Sequence, residues 1–540
     1  MSFKLKRVIL NSAIAGGCLL SLGGLAHAQV TSTSFQNGAN GYNGTVDRKL
    51  SEVAANEVFG NTVAQYFLDG FSSGTTVSAD EQGLIRFDNL VGNGPGQIPA
   101  NATILDAKLK VTTSLAGNSQ TSGPFGVAGL NQAFDANTSY FTSFPSATDF
   151  GSRGAWWQDG YATRPVGGYG FQRPGVAESA NVTSLVQGWT NGAPNHGMVI
   201  QAGAGDNVAA NANTADGWSI YTTGFPFSDS RPKLEVSYTT APVTKRTFQR
   251  GANGYADDTM AIVRSGTNAL INDSDPVANP TNPERTEDAS TLNLAFLDGP
   301  VFSSLDGTTS SVDDLALIKF GGVFAAGQVP TNVPVAKAWV VVTTGEVSNA
   351  AHSPGPWSAY KMNRAWDFTS LHSSFGAVNG LQTGDGDISA PLVTLEGFIR
   401  GAEAWFDVTS YLEGVRTGAI DNGIAIQANG TADGWQIHTN GSTTELARPK
   451  LVVYSADLGI TNPLAGDFND DGAVDGVDFL TWQRGFGGEF DASDLADWKA
   501  NFGSTGSGPL AAAVPEPSTA LLSMAAVLGF GAVARRRSEK

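Results

Sequence analysis

The sequence contains almost no cysteine, since Cys18 is the only one in 540 residues. A single thiol excludes internal disulfide bonds and a metal site built from several thiolates. Cys18 also lies in an apolar N-terminal stretch, apart from the segments that carry the candidate motifs. A chain of this length without cross-links must be stabilised by large hydrophobic cores or by bound ions.

Positive charge and histidine are also scarce. Lys and Arg number 32 against 50 Asp and Glu, so the formal net charge is −18, and there are only five histidines. This charge argues against nucleic acid and anionic lipid as partners. The sequence has neither a His-Glu-x-x-His zinc motif nor a phosphate-binding Gly-x-x-x-x-Gly-Lys motif. These absences favour a non-catalytic protein, although the many carboxylates leave a glycosidase or lyase as an alternative.

Residues 1–28 have the features of a secretory signal peptide. Basic residues among the first seven positions precede an apolar stretch over residues 8–25. Ala26-His27-Ala28 then supplies the small-x-small pattern that signal peptidase recognises. We therefore expect an exported protein whose mature chain begins at Gln29.

The C-terminus carries a second targeting pattern over residues 514–540. Pro515-Glu516-Pro517 precedes an apolar stretch over residues 519–534 and then Arg535-Arg536-Arg537. About 16 residues at 1.5 Å each reach roughly 24 Å, which predicts a short transmembrane helix with cytoplasmic arginines. The pattern resembles the PEP-CTERM sorting signal and follows a linker over residues 506–513. The resemblance implies processing by an exosortase-type enzyme, transient inner-membrane anchoring, and the outer surface or extracellular matrix of a Gram-negative bacterium.

The chain between these ends contains an internal duplication. Six sequence blocks recur in the same order, each unit being about two hundred residues long. We therefore predict two related domains, residues 29–241 and 245–456. The matched blocks are 35–42 with 248–255, 67–70 with 296–299, 83–87 with 316–320, 96–99 with 327–330, 214–218 with 431–435, and 231–234 with 448–451.

Short segments in each unit predict antiparallel strands. Residues 233–238 alternate polar and apolar side chains, whereas residues 338–342 are continuously apolar and fit an inner strand. One helical turn is predicted at residues 183–189, with a counterpart at 407–412. Many short strands between clusters of turn residues predict an all-β fold of two tandem jelly-roll-like antiparallel β-sandwiches.

Several of these segments resemble a known extracellular family. The segments that carry the resemblance are residues 84–88, 97–104, 107–111, 181–189 and 231–234. The DNRLRE-type domain is the family that they resemble. The resemblance covers residues 35–240 and, more loosely, 248–455. It implies a fold similar to jelly-roll carbohydrate-binding modules, with polysaccharide as the ligand.

An acidic loop follows the second predicted sandwich. Counted from Asp467, oxygen-bearing side chains occupy positions 1, 3, 5, 9 and 12, while Gly472 occupies position 6. This spacing places hard oxygen donors around one Ca²⁺, and the glycine permits the sharp turn. The predicted calcium ligands are Asp467, Asn469, Asp471, Ala473 through its carbonyl, Asp475 and Asp478.

The rest of this region, residues 460–505, resembles a small α-helical, EF-hand-like dockerin module. Residues 474–487 align with residues 490–503, as in a duplicated loop–helix unit. The resemblance implies calcium-dependent folding and docking to a cohesin-like protein. The second loop would place Gln483, Gly485 and Gly487 at its first three ligand positions, so we predict one calcium ion.

Aromatic residues give the best indication of a ligand. Sugar rings stack on exposed indole and phenol rings, while polar groups fix their orientation. A Gly-rich stretch of the first repeat and a comparable stretch of the second are therefore predicted to bind carbohydrate, although packing of these rings at the end of each sandwich stays open. The residues concerned are Trp156, Trp157, Tyr161, Trp357, Tyr360 and Trp366.

These features together predict a non-catalytic exported protein that binds polysaccharide through its sandwiches. The calcium module would serve for docking, and the membrane would be reached only through the C-terminal segment. Two alternatives stay open, a polysaccharide-degrading enzyme and a purely structural or adhesion protein of the matrix.

Overall fold

The computed structural model describes most of residues 30–504. Both predicted targeting segments, residues 1–28 and 514–540, and the linker at 506–513 lie outside the described residues. The described ranges are 30–51, 63–70, 80–116, 123–135, 159–170, 172–202, 217–265, 285–299, 314–346, 352–375, 381–428, 434–456, 474–486 and 492–504, together with residues 119, 137, 138, 143, 144, 155, 157, 466, 468 and 490.

The first repeat forms two antiparallel sheets that pack face to face. One sheet has the order β1-β11-β5-β8, and the other has the order β2-β4-β9-β6-β7, while β3 pairs with β10. The strands are β1 Thr31–Gln36, β2 Thr45–Ser51, β3 Gln65–Leu68, β4 Glu81–Phe87, β5 Thr103–Thr112, β6 Phe125–Gly129, β7 Gly167–Tyr169, β8 Ala177–Asn181, β9 Met198–Ala202, β10 Trp218–Tyr221 and β11 Lys233–Thr239.

The second repeat reproduces this topology with one additional edge strand, β14, among its described residues. Its sheets have the orders β12-β23-β17-β20 and β14-β13-β16-β21-β18-β19, and β15 pairs with β22. The strands are β12 Thr244–Gln249, β13 Asp258–Arg264, β14 Arg285–Asp288, β15 Leu294–Leu297, β16 Asp314–Phe320, β17 Val335–Thr343, β18 Trp357–Met362, β19 Ile388–Leu395, β20 Glu403–Asp407, β21 Ile424–Ala428, β22 Trp435–His438 and β23 Lys450–Ser455.

One short helix packs at the end of each sandwich. Helix α1 is Thr183–Thr190 and helix α2 is Thr409–Arg416. Asn181 Oδ1 accepts a hydrogen bond from Thr183 N at 3.0 Å, and Asp407 Oδ1 accepts one from Thr409 N at 2.9 Å. A side-chain oxygen two residues upstream thus satisfies an N–H at the start of each helix, which stabilises the turn into it.

The core of each repeat lies between its two sheets. In the first repeat, side chains such as Leu109 and Leu234 from one sheet meet Ile85 and Ile200 from the other in one buried cluster. The second repeat has an equivalent cluster built around the fully buried Trp435. Burying these apolar faces against each other is the main favourable term for a chain without disulfide bonds.

The chain ends, as far as it is described, in two helices, α3 Gly476–Gly485 and α4 Ala492–Asn501. They pack through their aromatic side chains, with the Phe479 and Trp498 rings 5.0 Å apart. No helix within residues 30–504, as far as described, is both long and apolar enough to cross a membrane.

The structure confirms the mainly β, antiparallel character predicted from the sequence. The strand predicted at residues 233–238 is β11, and that predicted at 338–342 lies within β17. The helical turns predicted near residues 183 and 407 are the helices α1 and α2.

Candidate binding sites

Two of the predicted sugar-binding aromatics are core residues. Trp357 opens strand β18, and its side chain is fully buried against Trp435 and donates from Nε1 to Ser353 Oγ at 3.0 Å. Tyr360 on the same strand is 6% exposed. A ring without an exposed face cannot stack on a sugar, so the burial of these two residues argues against the prediction that they bind carbohydrate.

The physical reason is the pairing of β18 with β21 in the middle of a sheet. Trp357 takes the place that Phe125 has in the first repeat, because each ring packs on the equivalent core tryptophan, Trp435 or Trp218. The sequence pattern indicated the stretch from Trp357 to Trp366 as the counterpart of the stretch from Trp156 to Tyr161. In the structure, Trp357 is instead the counterpart of Phe125. Trp357 and Tyr360 lie on a central strand, which the likeness to the Gly-rich stretch of the first repeat did not predict.

Trp366 is half-buried at the end of the second sandwich. Its Nε1 donates to Asn422 O at 2.7 Å, and one side of the ring packs on a satellite core cluster. Phe368 and Leu371, which follow on the same turn, are substantially exposed. Of the predicted residues in the second repeat, Trp366 is thus the one with a ring edge available to a ligand.

In the first repeat, Trp157 and Tyr161 are also half-buried, while Trp156 lies outside the described residues. Tyr161 packs edge-on against Phe144 at 5.5 Å. The Arg164 guanidinium lies 4.5 Å from the centre of the Trp157 ring. This cation–π contact occupies part of a surface that a sugar would need.

A third aromatic group was missed by the sequence analysis. The rings of Tyr221 and Phe225 stack at 3.7 Å, and Phe227 follows at 5.6 Å from Phe225. Phe227 is 71% exposed, and Leu115, whose N–H donates to Tyr221 Oη at 3.1 Å, is 72% exposed. No local signal marks this group, because Trp357 also stands beside a proline and is fully buried.

Within the predicted calcium loop, the structure describes Phe468 and residues 474–478, which lead into helix α3. Asp478 is fully buried, and its Oδ1 and Oδ2 accept hydrogen bonds from Phe468 N at 2.9 Å and Asp475 N at 2.7 Å. Asp475 Oδ1 in turn accepts from Val477 N at 2.7 Å. The carboxylate at position 12 is thus held against position 2, and its bond with Asp475 N is part of a capping box at the start of helix α3.

The remaining predicted ligands, Asp467, Asn469, Asp471 and Ala473, lie outside the described residues. Within the described ranges, no group of three or more acidic, histidine or cysteine side chains is placed to hold a metal ion. Burying an ionised carboxylate is costly unless charge or hydrogen bonds compensate it, and at Asp478 two backbone N–H groups supply hydrogen bonds.

The second repeat also brings a serine, a histidine and a glutamate together. His438 Nδ1 lies 2.9 Å from Ser442 Oγ, and His438 Nε2 lies 4.0 Å from Glu346 Oε1. Ser442 is fully buried and donates to Asn293 Oδ1 at 3.1 Å. A substrate carbonyl cannot reach a serine without exposed surface, so this group holds a turn rather than forming a nucleophilic site.

Comparisons with known proteins add little. No protein-family model matches the chain, and no curated protein matches it. Among solved structures, allantoicase from Saccharomyces cerevisiae matches with 10% sequence identity over 70% of this chain and 77% of that chain, at a TM-score of 0.16. A similarity at this TM-score carries no argument about fold or function.

Proposed function

We propose that this chain is a non-catalytic exported protein that binds polysaccharide through two tandem jelly-roll sandwiches. The calcium-binding, dockerin-like module at residues 460–505 serves for docking to a cohesin-like protein. The C-terminal segment directs the chain, through an exosortase-type enzyme, to the outer surface or extracellular matrix.

The strand order supports the jelly-roll assignment. When β2, β3 and β10 are left out, eight strands of the first repeat remain. Numbered one to eight along the chain, they have the order 1-8-3-6 in one sheet and 2-7-4-5 in the other. Those are the orders that result when an antiparallel ribbon is wrapped into two facing sheets. The second repeat gives the same two orders once β13, β14, β15 and β22 are set aside.

The observation that carries the binding proposal is the exposed ring of Phe227, which contacts the half-buried Phe225 and, through it, the buried Tyr221. Leu115, whose N–H donates to Tyr221 Oη, is exposed as well, and exposed apolar side chains that adjoin one another mark a candidate interaction site. The exposed ring of Phe227 offers a flat apolar surface on which one sugar ring can stack. The second repeat has His438, Ser442 and Thr444 in the equivalent turn, so the ring group is specific to the first repeat.

The experiment measures binding of the purified full chain to a panel of soluble polysaccharides by calorimetry, with calcium and with chelator. We expect saturable binding to one glycan class. Joint substitution Phe225→Ala and Phe227→Ala should weaken it roughly tenfold or more, as loss of a central aromatic contact does. Release of reducing sugar, measured in the same samples, should be absent.

Leu446→Ala is the matched control, since Leu446 is 84% exposed on the equivalent turn of the second repeat. That variant should bind as the wild type does. If no glycan binds, polysaccharide binding is wrong and the adhesion role becomes the better account. If the double variant binds normally, the ring group is not the site, and release of sugar would contradict a non-catalytic role.

A further inference from the structure

The second sandwich has an apolar cavity of about 270 Å³ at one end. It lies between helix α2, strands β16, β17 and β23, and the turn at residues 321–325. Its lining is almost entirely aliphatic and aromatic. The lining residues include Val323, Tyr411, Val415 and Asp421.

Helix α1 of the first repeat carries a large side chain at the equivalent place. Thr183 Oγ1 accepts from Ala107 N at 2.9 Å, and Thr409 Oγ1 accepts from Ala338 N at 3.0 Å, which aligns the two helices residue by residue. Trp189 in α1 therefore corresponds to Val415 in α2. The Trp189 side chain is buried within the first core, whereas Val415 leaves the space open.

The loop opposite the helix also differs between the repeats. Ile98 N donates to Leu90 O at 2.8 Å, and Val329 N donates to Val323 O at 3.0 Å, so these two turns are equivalent. Val323, which lines the cavity, thus replaces Leu90, and Val329, which replaces Ile98, follows on the same turn. The largest loss of side-chain volume at the cavity is the exchange of Trp189 for Val415, whereas Phe324 is larger than its counterpart Val91.

An acidic side chain is available at the cavity. Asp421 Oδ1 accepts hydrogen bonds from the Tyr411 hydroxyl and, at 3.0 Å, from Gly423 N. Burial and the neighbouring Asp421 raise the pKa of Tyr411, so this phenol stays protonated and remains a donor. Asp421 Oδ2 accepts no hydrogen bond from any described residue. The equivalent positions in the first repeat hold Leu185 and the neutral Asn195.

We propose that this cavity binds a small organic amine, with its apolar body inside the cavity and its ammonium group on Asp421 Oδ2. An apolar cavity of about 150 Å³ accepts benzene, so the present volume suits a ring with a short chain, roughly ten heavy atoms. A charge-assisted hydrogen bond to the carboxylate orients the ligand. This site is separate from the exposed rings of the first repeat, and it does not depend on polysaccharide binding.

The test uses two probes of nearly equal shape, 2-phenylethylamine and propylbenzene. Their binding to the purified full chain is measured by saturation-transfer NMR and calorimetry. We expect the amine to bind and propylbenzene to bind more weakly. Asp421→Asn should weaken the amine roughly tenfold or more and leave propylbenzene unchanged, because a bond to a charged group is lost. Asn195 Oδ1 accepts from Gly197 N at 3.1 Å, so asparagine preserves this turn.

Val415→Trp copies the first repeat and should abolish binding of both probes while the chain keeps its circular dichroism spectrum. If that variant does not fold, Val415→Phe takes its place with the same expectation. Absence of binding to the wild-type chain, or unchanged binding in a folded Val415 variant, would overturn the site. Equal loss of both probes in Asp421→Asn would overturn the role of the carboxylate.

Discussion

Arg164 in the first repeat forms an ion pair with Glu346 in the second. Both side chains are partly exposed, at 40% and 30%, so the pair contributes at most about 1 kcal/mol. Beside it, Glu403 N donates to Pro165 O at 2.9 Å across the same junction. The two sandwiches are therefore joined by backbone contact as well as by charge.

The junction depends on a glycine at position 170. A Cβ there would lie 2.0 Å from Pro354 O and 2.6 Å from Glu396 Cβ, both in the second repeat. We expect Gly170→Ala to separate the repeats without unfolding either one. Small-angle scattering should show a larger radius of gyration. Gly384→Ala, where no atom lies within 4 Å of the added Cβ, should leave it unchanged, and an unchanged radius in Gly170→Ala would contradict the close approach.

Trp189 fills the space that is a cavity in the second repeat. Trp189→Val should lower the free energy of unfolding of the first repeat by about 3 kcal/mol, the cost of removing a large buried ring. Urea unfolding followed by fluorescence measures this loss. Trp189→Phe retains a ring and should cost less. Equal stability of Trp189→Val and the wild type would mean that Trp189 contributes no packing to this core.

The calcium prediction is tested by titration of the chelator-treated full chain. One calcium ion should bind, and Asp478→Asn should weaken it at least roughly tenfold, because a charged ligand that closes the loop is lost. Asp497→Asn changes an exposed aspartate outside the loop and should bind as the wild type does. Two tight sites, or full affinity in Asp478→Asn, would refute the single-ion arrangement.

His352 predicts a dependence of stability on pH. Burial lowers the pKa of His352 from 6.5 to about 4. The unfolded chain takes up this proton near pH 6.5, while the folded chain does not until about pH 4. The stabilisation is therefore complete above pH 6.5 and is lost as pH falls through this window, by up to about 3 kcal/mol.

Urea unfolding of the wild type and His352→Leu at pH 7 and pH 4.5 measures this effect. The wild type should lose more stability than the variant between the two pH values, because the variant cannot bind the proton. An identical loss in both proteins would assign the acid sensitivity to other groups.

Local sequence patterns were sufficient for several of the elements. The period-two alternation of residues 233–238 predicted strand β11, and the segment at residues 183–189 predicted helix α1, because both signals are contained within a few residues. The duplication predicted two units, and their described strands follow one topology. The spacing from Asp467 to Asp478 predicted a calcium loop, of which the structure describes Asp475 and Asp478.

Side-chain exposure was not predictable in the same way. Trp357 and Phe227 both stand beside proline in the sequence, yet one is fully buried and the other is 71% exposed. The difference arises because Trp357 meets Trp435, a residue 78 positions away along the chain, whereas Phe227 lies on a turn between two strands. No local pattern contains that information.

By itself, the sequence determined the β character, the duplication and the order of the candidate oxygen ligands, since each depends on neighbours along the chain. Only the tertiary structure decided which rings are exposed, where the repeats touch and why one sandwich has a cavity. Those properties depend on contacts between residues that are far apart in the sequence. The effect of a single exchange, such as Val415 for Trp189, therefore depends on the side chains that surround the position in the fold.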